Sequence, residues 1–248
     1  MTPVYASVDL GGTSIKCALA DASGSIACSR SIPTQSYEGP ESVLRRIAGL
    51  VADLGHGRSA NTMVFFALGT GIGGGVAVDG KLRLGPLGAA GELGHQIVVP
   101  DGPKCGCLET VASGPAIAAQ GIRLLLSGLA PRLQELVGGD ASRVTTRTMA
   151  AAAEAGDTNV RDAIVRAARY LGVGVVNIVV TLHPDLVVLG GGVAQIGPLL
   201  FDTVRQTLRD SLGMFPTDDV QIMPSMLGEQ AGTLGGIALA MKHGLLDE

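Results

Sequence analysis

The sequence predicts an α/β protein, and three observations carry that expectation. Short apolar, β-branched runs alternate with longer stretches of helical periodicity, the pattern of strands covered by helices. Two of these runs, residues 63–68 and 186–189, lead directly into glycine clusters. Residues 157–181, lying between them, keep a helical pattern over a length that strands rarely reach.

Taken in order, residues 4–8 form an apolar strand that ends at Asp9, Leu10, Gly11, Gly12 and Thr13. Residues 15–20 alternate and read as its hairpin partner, with 26–31 as a third strand. Residues 33–40 are a polar loop. Residues 41–54 then place Val43, Leu44, Ile47, Leu50, Val51 and Leu54 on one helical face. The run 63–68 is short and apolar enough for a buried strand, and 76–78 resume a strand after the glycines.

Helical spacing returns over 110–126, with Ser113, Gly114 and Pro115 as a start signal, because a proline in the first turn gives up no hydrogen bond. Further helical pieces cover 129–137 and 148–154, separated by a break at Gly138, Gly139 and Asp140. In the long helix, Gly172 and Gly174 allow close approach of a neighbour, and His183, Pro184 and Asp185 end it. A buried strand over 186–189, a helix over 198–212, a strand over 220–223 and an Ala/Gly-rich helix over 228–245 complete the chain.

Composition narrows the function. With 46% hydrophobic and 16% charged residues, the 248-residue chain has the make-up of a packed protein and not of a disordered one. A net charge of −4 without a Lys/Arg cluster argues against a nucleic-acid partner. No uninterrupted apolar run reaches the roughly 18 residues of a membrane span, and the first residues lack the basic segment of a signal peptide. A cytoplasmic enzyme without a membrane partner is expected. Four cysteines, of which Cys105 and Cys107 are separated by one residue, do not have the pattern of a disulfide framework.

The chemistry-bearing residues concentrate between 68 and 109. Gly69, Thr70, Gly71, Ile72, Gly73, Gly74 and Gly75 lie between two strands, which argues against a dinucleotide fingerprint, since that needs a helix opening on the glycines. Successive N–H groups in such a turn can converge on an anion, with the Thr70 hydroxyl as a further donor. Two readings stand side by side: a phosphate-facing hairpin, or a plain tight one. Gly190, Gly191 and Gly192 likewise read as bare backbone for a base and ribose, or as a close strand–helix turn. Asp9 taken alone could also be an ordinary turn residue.

Four motifs in order, Asp9-Leu10-Gly11-Gly12-Thr13-Ser14-Ile15-Lys16, Leu68 through Gly75, Gly91-Glu92-Leu93-Gly94-His95 and Leu189-Gly190-Gly191-Gly192-Val193-Ala194, resemble the ROK family of bacterial sugar kinases and repressors nearly end to end. The resemblance implies an actin-like ATPase (ribonuclease H-like) two-domain fold, divided as 1–56 and 57–248, with the last helix packing back on the first domain. It implies ATP and Mg²⁺, gripped by Asp9, Gly11, Gly12, Thr13, Lys16, Gly69, Thr70, Gly71, Gly73, Gly190, Gly191 and Gly192. Asp9 would hold the magnesium and its water. Glu92, His95 and Glu109 would bind a hexose or N-acylhexosamine. His95, Cys105 and Cys107 match three ligands of a structural zinc (Zn²⁺), although closed zinc sites nearly always have four. A homodimer is also implied.

Two departures bear on the chemistry. Family members carry a Gly-x-Pro-Gly segment and an Asn-Asp pair after the first helix, whereas here residues 55–61 join that helix directly to the central strand, truncating the first domain. The zinc loop is shortened between Cys107 and Glu109. No Asn-Asp dipeptide occurs in the sequence, so the family's catalytic Asp is not found, and Asp53 sits near the junction without a glycine turn to present it. The leading expectation is a glucokinase-like phosphotransferase. The alternative is a catalytically impaired sugar- or nucleotide-binding relative. A repressor would carry a DNA-binding domain ahead of Asp9, where this sequence has only residues 1–8.

Overall fold

The computed structural model describes residues 60–79, 81–83, 85–86, 89–102, 105–214 and 216–225, and by backbone residues 5–10, 14–20 and 26–33. The expected helices over 41–54 and 228–245, together with Gly11, Gly12, Thr13 and Asp53, lie outside the described residues.

Strands β1 (Tyr5–Leu10), β2 (Ser14–Ala20) and β3 (Ile26–Pro33) form an antiparallel meander in that order. Its register sets Asp9 opposite Lys16. A second sheet has the order β6-β5-β4-β7-β8, from β4 (Thr62–Leu68), β5 (Ile72–Val78), β6 (Lys81–Leu82), β7 (Leu186–Gly190) and β8 (Gln221–Pro224). Here β4, β7 and β8 run parallel, while β5 is antiparallel to β4 and to β6. Parallel neighbours need a long crossover. Between β6 and β7 that crossover holds α1 (Leu108–Ala112), α2 (Gly114–Leu126), α3 (Pro131–Val137), α4 (Thr146–Glu154) and α5 (Thr158–Leu182), and between β7 and β8 it holds α6 (Pro198–Ser211).

Period-two alternation sorts β4 between two apolar clusters. Val64, Phe66 and Leu68 enter the large core with the helices, whereas Met63 and Phe65 join Ala77, Leu186 and Val188 in a smaller one. Every residue of β7 is buried, as expected of a central parallel strand with both faces covered. One carboxylate ties the sheet at its other end. Asp185 Oδ2 accepts the N–H groups of Asn61 (2.8 Å) and Thr62 (2.7 Å). The Asp185 backbone donates to the Thr62 carbonyl and accepts from Gln221, both at 3.0 Å.

Helix α5 starts on Asp157, whose carboxylate accepts from the Val160 N–H, and stops at His183, which adopts left-handed φ of 42°. Its buried stripe includes Val160, Ala163, Ile164, Ala167, Ala168, Leu171 and Val175, at the spacing of one helical face. Gly172 and Gly174 are small for a reason: a Cβ would lie 2.6 Å from Thr207 on α6 and 2.7 Å from Leu108 on α1. Although no uninterrupted apolar run reaches 18 residues, α5 as a whole is long and apolar enough to cross a membrane, with mean hydropathy 1.6 over its best window. Window averaging tolerates the scattered charges that break a run, and the apolar stripe of α5 packs into the core.

Two expected elements come out differently. The single helix over 110–126 is two, because Ser113 is extended (φ −71°, ψ 164°) and its hydroxyl caps Ala116 at the start of α2. The seven-residue glycine turn shrinks to Gly69–Gly71, since β5 already begins at Ile72.

Candidate active site

Parallel strands β4, β7 and β8 end together, at Leu68, Gly190 and Pro224. In open α/β sheets, ligands bind outside such carboxyl ends. Both glycine clusters of the second sheet sit at this edge and touch. Gly191 has φ of +92°, and a Cβ there would lie 2.5 Å from the Leu68 carbonyl oxygen. Gly191 is therefore glycine for a structural reason.

Gly69 and Gly192 differ. Neither has positive φ; a Cβ on Gly69 would meet only the Gly71 carbonyl at 4.0 Å, and one on Gly192 would meet nothing within 4 Å. The fold does not need glycine at either place, so each leaves bare backbone facing open space. The Gly69 N–H closes the turn onto the Gly71 carbonyl at 2.9 Å, and Thr70 at the tip is exposed. The Gly114 N–H donates to the Gly69 carbonyl at 2.9 Å, which sets the first residue of α2 against this turn. A cavity of about 530 Å³ opens beside Gly190 and Gly191, walled by Ala194, Gln195, Pro198 and Arg205. A larger cleft of about 640 Å³ lies among α4, α5 and α6, with Arg161, Arg169 and Arg209 balanced by Glu154, Asp202 and Asp210.

Gly73, Gly74 and Gly75 belong to β5, and Gly74 makes room there for the segment bearing Glu92 and His95. A Cβ on Gly74 would lie 2.5 Å from Leu93, and one on Gly94 would lie 2.0 Å from the Ile72 carbonyl oxygen. The 3-10 turn Leu93–His95 is thereby pressed directly onto the strand that leaves the glycine turn. Glu92 Oε2 and His95 Nδ1 stand 3.6 Å apart, with the imidazole side chain 64% exposed. Glu109, on α1, reaches the same strand: its Oε2 accepts the Ile72 N–H at 3.0 Å. The structure thus gathers Glu109 and the Glu92–His95 segment around Ile72. Residues 96–99 pair with 106–108, through Val98 to Gly106 (3.0 Å) and Leu108 to Gln96 (2.8 Å), and this carries α1 back to the hairpin.

Cys105 and Cys107 are bonded to each other as a disulfide. Disulfide sulfurs are not thiolate donors, and among the described residues no three His, Cys, Asp or Glu side chains gather as a metal requires. The donor set in this structure does not fit zinc. Asp9, placed on β1 opposite Lys16, is described by backbone alone, and of Gly11, Gly12 and Thr13 nothing is described.

Two positioning features escaped the sequence reading. The contact of α2 with the Gly69 turn had a local signal in Ser113 and Pro115, a cap followed by a helix-starting proline. The bond from Ile72 to Glu109 had none, because it joins residues 37 apart.

A model of the ROK family matches residues 51–243. Glucokinase from Halalkalibacterium halodurans is 33% identical over 191 residues, 73% of this chain and 57% of that protein. An N-acetylmannosamine kinase from Escherichia coli is 36% identical over 185 residues, covering 72% of this chain and 56% of the relative. The chain therefore spans less than two thirds of these relatives' lengths. A ROK family glucokinase from Streptomyces griseus, solved with glucose and AMPPNP, superposes with a TM-score of 0.84 at 24% identity, covering 96% of this chain and 99% of that one.

Proposed function

The chain belongs to the ROK family, and from that premise we propose that its site is that of a glucokinase-like sugar kinase, taking ATP as donor and a hexose or N-acylhexosamine as acceptor. One observation carries the reading: Gly69 and Gly192 leave bare backbone facing open space at the carboxyl ends of adjacent parallel strands. Phosphates fit against the Gly69–Gly71 turn, where the Thr70 hydroxyl and backbone N–H groups are donors. The base and ribose fit against Gly190–Gly192. Glu92, His95 and Glu109, beside the same turn, orient the sugar hydroxyl toward the terminal phosphate. Relatives named glucokinase and N-acetylmannosamine kinase support this substrate class.

Phosphoryl transfer draws mainly on positioning and charge stabilisation, which backbone donors and orienting carboxylates supply. Mg²⁺, with Asp9 as its holder, would neutralise phosphate charge. The family resemblance also carries a cytoplasmic homodimer.

The test is Gly192→Leu. Gly192 is right-handed helical (φ −64°, ψ −32°), which leucine adopts readily, and a Cβ there meets nothing. The variant folds with wild-type stability yet loses ATP·Mg²⁺ binding in calorimetry by at least about a hundredfold, because filling the space denies the nucleotide its contact. Unchanged ATP affinity in the folded variant would sink the nucleotide reading.

Zinc enters only through reduction of the Cys105–Cys107 bond and a fourth donor. Protein purified without reductant or added metal therefore carries less than about a tenth of an equivalent of zinc by elemental analysis. Denatured without reductant, it shows at most two titratable thiols: the four cysteines less Cys105 and Cys107. A full equivalent of zinc and four thiols would restore the metal site.

A second reading is a relative that binds sugar and nucleotide with little catalysis. It is favoured by one specific observation, the lack of any Asn-Asp dipeptide in the sequence.

A further inference from the structure

Ile72 is the first residue of β5 and directly follows the Gly69–Gly71 turn. Across from it, Leu68 is its Cα partner, and the hydrogen bond closing the turn lies one residue further out, from Gly69 to Gly71. Antiparallel pairs alternate between bonded and non-bonded, so the Ile72 N–H points away from β4. On that outer side β6 pairs only with Ala77 and Val78, which leaves the hairpin end of β5 without a strand neighbour; Gly94 packs against the Ile72 carbonyl there, and the Ile72 N–H needs an acceptor of its own. Glu109 fills the place a neighbouring strand would take: its Oε2 accepts the Ile72 N–H at 3.0 Å. This is a charge-assisted bond in a partly buried setting, stronger than a neutral one.

We propose that Glu109 is a positioning residue for the phosphate turn, holding Gly69–Gly71 in register through the Ile72 N–H and thereby linking sugar occupancy to nucleotide affinity. The linkage rests on the sugar-kinase reading above; the tie to the turn does not. Glu109 has two carboxylate oxygens, and the one not bonded to Ile72 is the acceptor left for a sugar hydroxyl. A sugar bound there restricts the carboxylate to the conformer that also holds Ile72. Ordering by one ligand lowers the ordering cost for the next, so sugar tightens nucleotide binding, and nucleotide tightens sugar by the same factor.

The test uses the full chain as wild type, Glu109→Ala and Glu109→Gln. Amide hydrogen exchange over residues 69–75 is read without ligand, and ATP·Mg²⁺ affinity is read with and without saturating glucose or N-acetylmannosamine. The glutamine keeps an oxygen for the Ile72 N–H but loses the charge. Glu109→Ala is expected to exchange this segment at least about tenfold faster, while Glu109→Gln stays within about threefold of wild type. ATP affinity falls at least about tenfold in Glu109→Ala even without sugar, and the sugar-induced tightening seen in wild type disappears. Exchange elsewhere, over α5 and β7, stays at the wild-type level and shows that the variant is folded. Unchanged exchange over 69–75 in Glu109→Ala overturns the tie. Faster exchange with unaltered ATP affinity overturns the linkage while leaving the kinase reading standing. Failure of wild type to bind ATP·Mg²⁺ overturns the kinase reading and the linkage together, and the exchange data then judge the tie alone.

Discussion

On the sugar-kinase reading proposed above, phosphorylation by this chain is expected to run at least about a hundredfold more slowly than by a family member that retains the Asn-Asp pair, because the sequence lacks the aspartate that the resemblance makes the proton acceptor. A sugar hydroxyl is a weak nucleophile, and a positioned general base typically contributes about 10² to 10⁴ in rate. The resemblance assigns that duty to an aspartate this sequence lacks. The described carboxylates at the site have other partners: Glu109 holds the Ile72 N–H, and Glu92 stands 3.6 Å from His95. On the same reading the loss is expected to fall on kcat and to leave the dissociation constants of ATP and sugar nearly untouched. A coupled assay across hexoses and N-acylhexosamines at saturating ATP·Mg²⁺ decides the matter. Turnover near the ordinary enzyme median of about 10 s⁻¹ would show that another group acts as base.

Gly94→Ala unfolds the site where Gly192→Leu leaves the fold alone. The added methyl would sit 2.0 Å from the Ile72 carbonyl oxygen, and backbone cannot swing aside as a flexible side chain can. Overpacking of this kind costs about 1–3 kcal/mol, and here it also levers Glu92 and His95 off β5. Urea unfolding should show a loss of about 3 kcal/mol, with the midpoint moving and the slope unchanged. Sugar binding should weaken at least tenfold, by roughly 1.4 kcal/mol or more, even at temperatures where the variant is folded. A variant as stable as the parent would mean that the 91–95 segment does not rest on β5.

Much of the second sheet was legible because its signals are local. Residues 63–68 announce β4 as a short apolar run and 186–189 announce β7 by β-branched content, and the structure places them at Thr62–Leu68 and Leu186–Gly190. Periodicity over 157–181 found α5 to within one residue at each end. Glycines were harder to read, because one residue type answers three needs. Gly191 is glycine for its positive φ, Gly74 and Gly94 for close packing, and Gly69 and Gly192 for neither; only coordinates separate the three. The motif order singled out Glu92, His95 and Glu109, but their meeting around Ile72 depends on β5 beginning two residues after Thr70 and on the pairing of 96–99 with 106–108. Cys105 and Cys107 show the limit from the other side, since a spacing that suits thiolate ligands also brings two sulfurs within bonding reach of each other.

Asp185 bears on how such a chain could come to differ in length from its relatives. Its carboxylate grips Asn61 and Thr62, and its backbone reaches both Thr62 and Gln221, so the entrances of β4, β7 and β8 are pinned from within the sheet. The glycine turns lie at the far ends of these strands, roughly 20 Å away along the seven residues of β4. Segments gained or lost ahead of Asn61 therefore end at a clamp before they can shift the register of the central strand. A change of length upstream of this junction would thus be expected to leave the glycine-bearing edge with its geometry, as would a foreign domain grafted there.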